Sequence, residues 1–174
     1  MKDVLQKAAQ IKLVVFDVDG VLTDGRLYFS DDGQESKAFH SRDGLGMKLL
    51  QRSGVEIGII TARSSELVKH RMNNLGIKHV YQGRLDKFAA MEELLALLNL
   101  SLDQVAYVGD DVVDLPVMRR VGLAITVADG HELAQQYAHW CTPNPGGHGA
   151  ARDVCELIMR SQGTLDAQLA SFLT

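Results

Sequence analysis

The residues best suited to chemistry are carboxylates in two short clusters. Asp17 and Asp19 directly follow the apolar run 11–16, and Asp110, Asp111 and Asp114 stand in a Gly-Asp-Asp-Val-Val-Asp segment directly after the apolar run 105–108. An acid at the end of a buried parallel strand lies at the carboxyl edge of the sheet, where α/β folds bind their ligands. Neighbouring strands would crowd four or five carboxylates into one region. Like charges that close are unfavourable unless a cation shares them, and an all-oxygen donor set selects Mg²⁺ or Ca²⁺ over softer metals. The competing reading is that Asp110, Asp111 and Asp114 cap a helix N-terminus, where acids are electrostatically welcome. Thr61, in Ile60-Thr61-Ala62-Arg63, offers a hydroxyl that can donate to an oxyanion without adding charge, or serve as an ordinary N-cap. Lys87 opens a helical pattern, where the helix dipole disfavours a cation. An anionic ligand accounts for it; a solvated surface lysine is the plainer alternative. Each signal alone is weak, whereas the order Asp-x-Asp, Thr, Lys, Gly-Asp-Asp-x-x-Asp is specific.

The elements that must position these residues alternate short apolar runs with longer amphipathic stretches, the pattern of an α/β fold built on a mainly parallel sheet. Strands are expected over 11–16, 55–60, 79–81, 105–108 and 123–127, the first read as fully buried because it lacks alternation. Helices are expected over 43–52, 64–74, 87–98 and 150–160. Gly54 and Gly76 fall where a helix C-cap needs positive φ, and Ser101 with Gln104 reads as a capping box. Residues 25–40 break the alternation: two short runs around Asp31-Asp32-Gly33 read as a β-hairpin inserted between the first strand and the first helix. With no repeat or linker, the chain reads as one domain over 1–174, with 163–174 a surface tail.

Composition narrows the function classes. The chain has 174 residues, 46% hydrophobic and 23% charged, which excludes a disordered or fibrous chain. A formal charge of −4 argues against a nucleic-acid binder, which carries a basic excess. No apolar run approaches the roughly 20 residues of a membrane span, and the N-terminus lacks a secretory signal, so a cytoplasmic location is expected. Cys141 and Cys155 are too few for a disulfide framework and read as small buried hydrophobes.

The motifs resemble the four of the haloacid dehalogenase superfamily: DxD as Asp17-Val18-Asp19, then Thr61, Lys87, and GDDxxD over 109–114. The resemblance extends to its capless 3-deoxy-D-manno-octulosonate 8-phosphate phosphatase family through 17–25 (DVDGVLTDG), 39–44 (FHSRDG), 60–63 (ITAR), 109–111 (GDD) and 145–149 (PGGHG). It implies a Rossmann-like fold with helices on both faces, the inserted hairpin and no cap domain. It also implies Mg²⁺-dependent hydrolysis of that sugar phosphate to 3-deoxy-D-manno-octulosonate and phosphate, in lipopolysaccharide biosynthesis. In that scheme Asp17 is the nucleophile that forms an aspartyl-phosphate, and Asp19 is the general acid and then base. Mg²⁺ is held by Asp17, the main-chain carbonyl of Asp19, and Asp110. Asp111 and Asp114 orient waters or Lys87, while Thr61 and Lys87 stabilise charge on the phosphoryl oxygens. Substrate contacts implied are Asp19, His40, Ser41, Arg42, Asp43, Gly44, Lys48, Arg63, Arg71 and Lys87.

Arginine suits an acidic sugar because its planar fork binds both oxygens of a carboxylate. For Lys48 and Arg71 a solvated helix face stays open as the alternative, and His148, flanked by glycines, reads as incidental. Nothing between Asp17 and Thr61, or between Lys87 and Asp110, is long enough for a cap, so the site is open, although its chemistry favours exclusion of bulk water. The hairpin, with Leu27, Tyr28, Phe29 and Phe39 as exposed apolar residues, is expected to wall off a neighbour's site. The resemblance implies a homotetramer and a Gly-rich C-terminal segment that closes over an adjacent site. Three other readings compete with this one. A phosphoacceptor receiver domain has the wrong order of acidic pair and acceptor. A noncatalytic scaffold stays open on sequence alone, as does a phosphatase for a nine-carbon keto-deoxy acid 9-phosphate.

Overall fold

In the computed structural model, which describes residues 1–173, α1 (Lys2–Ala8) leads into β1 (Leu13–Phe16), and the hairpin strands β2 (Tyr28–Phe29) and β3 (Glu35–Ser36) follow. Then come α2 (Ser41–Arg52), β4 (Glu56–Ile60), α3 (Glu66–Leu75), β5 (His79–Tyr81), α4 (Lys87–Leu98) and β6 (Val105–Val108). The last third holds α5 (Leu115–Met118), β7 (Leu123–Thr126), α6 (Glu132–Tyr137), β8 (Trp140–Cys141), α7 (Ala150–Ser161) and α8 (Leu165–Ala170). Thr174, the last residue of the expected tail, lies outside the described residues.

One sheet of order β5-β4-β1-β6-β7-β8 carries the fold, every pairing parallel, and β2 and β3 form a separate antiparallel pair. The chain moves from β1 outward to β4 and β5, crosses back to β6, and moves outward the other way to β8. The loops leaving β1 and β6 therefore diverge and open a crevice at their carboxyl ends, the switch point where such sheets bind ligands. Phe16 stands opposite both Ile59 and Val108, so Asp17, Thr61 and Asp110 all emerge at that one edge.

Strands β1, β6 and β7 are buried on both faces. Val14 and Phe16 point into the layer of α1, α2, α3, α7 and α8, while Leu13 and Val15 point into that of α4, α5 and α6. This explains why β1, β6 and β7 read as unbroken apolar runs. Gly54 and Gly76 take φ of +96° and +72° at the ends of α2 and α3, and the Ser101–Gln104 capping box forms on the 3₁₀ turn Leu102–Gln104.

Several expectations need correction. Cys155 is buried, but Cys141 is exposed, because it lies on β8, the outermost strand. Phe39 is half-buried against the core under the Arg71 guanidinium, 5.8 Å from its ring centroid, and so packs on its own domain. Within the expected tail, 165–170 form α8, which buries Leu165. β8 and the short helices α1, α5, α6 and α8 had no expected counterpart, being too short to set up a period.

The 145–149 loop packs on the segment that follows β1. Gly147 N–H donates to Val21 O at 2.9 Å, Gly146 N–H donates to Asp129 Oδ1 at 2.9 Å, and a Cβ on Gly146 would lie 1.8 Å from Gly20 O. The loop then enters α7, whose own N-cap, Gly149, has no side chain to offer. Asp43 of α2 supplies one from across the layer: its Oδ1 accepts from Arg152 N–H at 2.8 Å. Replacing Asp43 by Ala leaves that N–H unpaired, at a cost of about 1–2 kcal/mol. A melting point about 3–8 °C lower is expected, with Asp43→Asn much closer to the parent. Equal melting points for all three proteins would show that the cap contributes nothing.

Candidate active site

Four buried side chains meet where β1 and β6 end. Asp17 continues β1, its N–H donating to Val108 O at 3.0 Å, and its Oδ1 accepts from Val18 N–H at 2.7 Å. Lys87, the first residue of α4, has a side chain only 1% exposed; its ammonium donates to Asp17 Oδ2 at 2.5 Å and to Asp114 Oδ1 at 2.6 Å. That resolves its position at a helix start: two carboxylates outweigh the dipole. Asp114 has every lone pair engaged. Oδ1 also accepts from the Tyr107 hydroxyl at 2.6 Å, and Oδ2 accepts from Asp110 N–H at 3.0 Å and Asp111 N–H at 3.2 Å.

Asp110 is the contrasting case. No hydrogen bond supports its carboxylate among the described residues; burial, then the charges of Asp114 and Asp17, push it up to about 7. Asp17 is raised to about 6 by burial and by Asp114, against the pull of Lys87. Burial would draw Lys87 down, but Asp17 and Asp114 outweigh it and hold the ammonium above its ordinary range. Oxygens of Asp17, Asp110 and Asp114 lie within 4.8 Å of one another, a donor set that fits a hard divalent cation. Because Asp114 is already saturated, Asp17 and Asp110 are the carboxylates with capacity left for it. Gly20 makes the arrangement possible: at φ +88° a Cβ would stand 2.0 Å from Asp110 Oδ2, so the turn after β1 tolerates no side chain there.

The two readings of the 110–114 acids prove to be divided among them. Asp111 is the N-cap of the 3₁₀ turn Val112–Asp114, its Oδ1 accepting from Val112 N–H at 2.7 Å, and it is exposed. Asp114 closes that turn and binds Lys87, and Asp110 faces the crevice.

Asp19 sits half-buried beside this group, its carboxylate bonded to the ammonium of Lys37, with Arg63 Nε at 3.7 Å. Arg63 also reaches Glu35 of β3 at 2.7 Å. Thr61 is buried at the end of β4, donating from its N–H to Tyr81 O at 3.0 Å. The structure thus brings Asp17, Asp19, Thr61, Arg63, Lys87, Asp110 and Asp114 to one edge. A second group forms at the start of α2: His40 Nδ1 accepts from Arg42 N–H at 3.2 Å, and Arg71 Nη2 donates to His40 O at 3.3 Å. Gly44 lies under Arg71, where a Cβ would be 2.4 Å from Nη2. Ser41, Arg42 and Lys48 are exposed along α2 and are not drawn into the acidic group. Asp43 is buried on the N-terminus of α7. His148 is exposed, its ring on Gly146 O at 2.7 Å.

Sequence reasoning missed Tyr107, Lys37 and Glu35. Tyr107 carried one faint signal, a lone polar group in a fully buried strand; burial, then the charge of Asp114, raises its phenol well above the ordinary value, so it stays a donor.

Comparison with known proteins agrees with this geometry. A family model described as haloacid dehalogenase-like hydrolase matches residues 78–152. The chain is 49% identical over 164 residues to the 3-deoxy-D-manno-octulosonate 8-phosphate phosphatase of Yersinia pestis, covering 94% of this chain and 88% of that protein. The crystal structure of a probable YrbI-family phosphatase from Pseudomonas syringae pv. phaseolica 1448a superposes with TM-score 0.99 at 50% identity, covering 100% of this chain and 99% of that one. That of the 3-deoxy-D-manno-octulosonate 8-phosphate phosphatase from Moraxella catarrhalis, in complex with magnesium ion, phosphate ion and KDO, superposes with TM-score 0.97 at 44% identity, covering 99% of each chain.

The raised carboxylates make a pH prediction. Asp17 and Asp110 favour the neutral form in the fold, so the stability they contribute is full below their ordinary value of 3.8 and is lost as pH rises through about 6 and 7. In EDTA the melting point should fall between pH 5.5 and 8, and added Mg²⁺ should restore progressively more of it over the same range. A melting point in EDTA that rises with pH would contradict the origin given for both shifts.

Proposed function

This chain belongs to the 3-deoxy-D-manno-octulosonate 8-phosphate phosphatase family of the haloacid dehalogenase-like hydrolases, and on that premise we propose that it hydrolyses 3-deoxy-D-manno-octulosonate 8-phosphate to the free acid and inorganic phosphate, a step of lipopolysaccharide biosynthesis. The observation that carries the reading is the buried Asp17–Lys87–Asp114 group beside an unsupported Asp110 at the β1/β6 crevice.

In this reading an Asp17 carboxylate oxygen attacks phosphorus; the new O–P bond forms as the bond to the sugar oxygen breaks, giving an aspartyl-phosphate. Asp19 gives its proton to the departing sugar oxygen, since an alkoxide is a poor leaving group, then takes a proton from the water that attacks the phosphoryl group. Phosphate leaves, and Asp17 returns as a carboxylate. Lys87 holds Asp17 in one orientation and, with Thr61, meets charge on the phosphoryl oxygens. Mg²⁺, held by Asp17, Asp110 and the main-chain carbonyl of Asp19, supplies the positive charge that lets a carboxylate approach a phosphate. Arg63, Arg71 and residues 40–44 at the start of α2 are assigned to the acidic sugar, with Lys48 at their margin. Asp43 serves that segment by fixing α7 behind it.

We also infer a homotetramer assembled through the hairpin, since Leu27, Tyr28 and Phe29 are 48%, 42% and 60% exposed on a two-stranded element that is marginal alone. A cytoplasmic location follows from the substrate: a phosphorylated acid does not cross a lipid bilayer unaided. Among the described residues no helix is long and apolar enough to cross a membrane.

Phosphate release in Mg²⁺ from the eight-carbon acid phosphate, its nine-carbon counterpart and simple hexose phosphates tests the assignment. The eight-carbon ester should be strongly preferred, and Asp17→Asn should lower kcat on the order of 10³-fold or more. Equal turnover of all the esters would remove the substrate assignment and leave the mechanism. For the assembly, Phe29→Asp should shift gel filtration from a four-chain to a one-chain size, and an unchanged elution volume would rule out the hairpin interface.

A further inference from the structure

Lys37 belongs to the hairpin, in a polar stretch where a solvated lysine is the ordinary expectation. Its side chain is instead 1% exposed. A buried ammonium is unfavourable unless carboxylates answer it, and two do: Asp19 Oδ1, by a direct hydrogen bond, and Glu35 Oε1 at 3.2 Å. Glu35 in turn holds Arg63 at 2.7 Å, and Arg63 Nε stands 3.7 Å from Asp19 Oδ2. Four charges of alternating sign thus close a ring, Lys37–Asp19–Arg63–Glu35, that joins the hairpin to the segment after β1 and the loop after β4.

Within the ring the two oxygens of Asp19 are treated differently. Oδ1 is tied to Lys37, whereas Oδ2 lies beyond hydrogen-bonding distance of Arg63. An Asp carboxylate turns about a broad sp³–sp² torsion, so without Lys37 nothing in the ring sets which oxygen faces outward. We propose that Lys37 is the positioning residue for Asp19: it fixes one carboxylate oxygen so that the other is presented to the departing sugar oxygen. The proposal rests on the acid–base role given to Asp19 above. It makes the hairpin part of its own subunit's active site as well as an assembly surface.

The choice of leaving group provides the test. A sugar alkoxide needs a proton to depart and p-nitrophenolate does not, while kcat/KM for either ester reports only the steps through formation of the aspartyl-phosphate. With the Mg²⁺-loaded enzyme, Lys37→Met should lower kcat/KM about 10- to 100-fold on the sugar phosphate and less than about threefold on p-nitrophenyl phosphate. The loss on the sugar phosphate should lie in kcat. Lys37→Arg, which keeps the charge with a different reach, should show the same split at about three- to tenfold, and it decides the matter if the Met variant does not fold. Equal loss on both esters, or loss on neither, overturns the proposal. So does a raised KM at unchanged kcat, which makes Lys37 a substrate contact. Asp19→Asn run in parallel separates the two levels: no split there removes the acid–base reading and the positioning role with it. A split in Asp19→Asn without one in Lys37→Met removes only the role of Lys37.

Discussion

Lys87 places a full positive charge where almost no water reaches it, and the groups that answer it are the carboxylates of Asp17 and Asp114 at 2.5 and 2.6 Å. A buried ion is tolerated when its partners are close and their remaining lone pairs are filled. Asp114 meets that condition in full through Tyr107 and two backbone N–H groups, whereas Asp17 gains one further donor, Val18, and keeps lone pairs free. Removing one member of such a pair costs about 3–5 kcal/mol because the other is left uncompensated. The arrangement is nonetheless not neutral, since three carboxylates face one ammonium. Asp110, which has no donor of its own among the described residues, is the carboxylate that this surplus penalises most, pushed up to about 7, and this is the electrostatic reason that the site calls for a divalent cation.

The backbone around these charges is arranged to let them approach. Gly20 admits the Asp110 carboxylate, Gly146 admits the carbonyl of Gly20, and the 145–149 loop that presses on this turn is anchored by Asp129 and by the Asp43 cap on α7. A side chain far in sequence from Asp17 therefore shapes the segment that follows it. Tight contacts transmit such constraints because a close-packed interior has no slack to absorb them.

Much of this was legible in the sequence for one reason: the chemistry sits at the ends of buried strands. Asp17, Thr61 and Asp110 each follow an apolar run within a residue or two, so local pattern and parallel-sheet topology together place them at one edge. Lys87 was legible as an anomaly, a cation at a helix start. What stayed hidden was every role set by a distant partner. Asp43, in a segment matching a substrate-contacting motif, caps a helix 109 positions away, and Lys37, in a polar hairpin, meets Asp19 across 18 positions. Residue type and local period carry no trace of either contact. Phe39 and Cys141 were misjudged for the complementary reason, since exposure depends on which layer or edge the fold assigns to a residue.

Among the described residues the hairpin is the one element inserted between β1 and α2, and it carries two kinds of side chain. An enzyme of this chemistry must limit water at the phosphoryl group and still admit a large, polar, acidic sugar. Here the hairpin carries apolar side chains at Leu27, Tyr28 and Phe29 and charged ones at Glu35 and Lys37. The two sets divide the work: the apolar set suits burial against another copy of the chain, and the charged set reaches into the site of its own subunit. A two-stranded ribbon is too weak to hold a fixed orientation alone. The ion ring, with the Lys37 side chain buried at its centre, ties the hairpin to the segment after β1 and the loop after β4, so the same four charges that set Asp19 also fix the orientation of the ribbon.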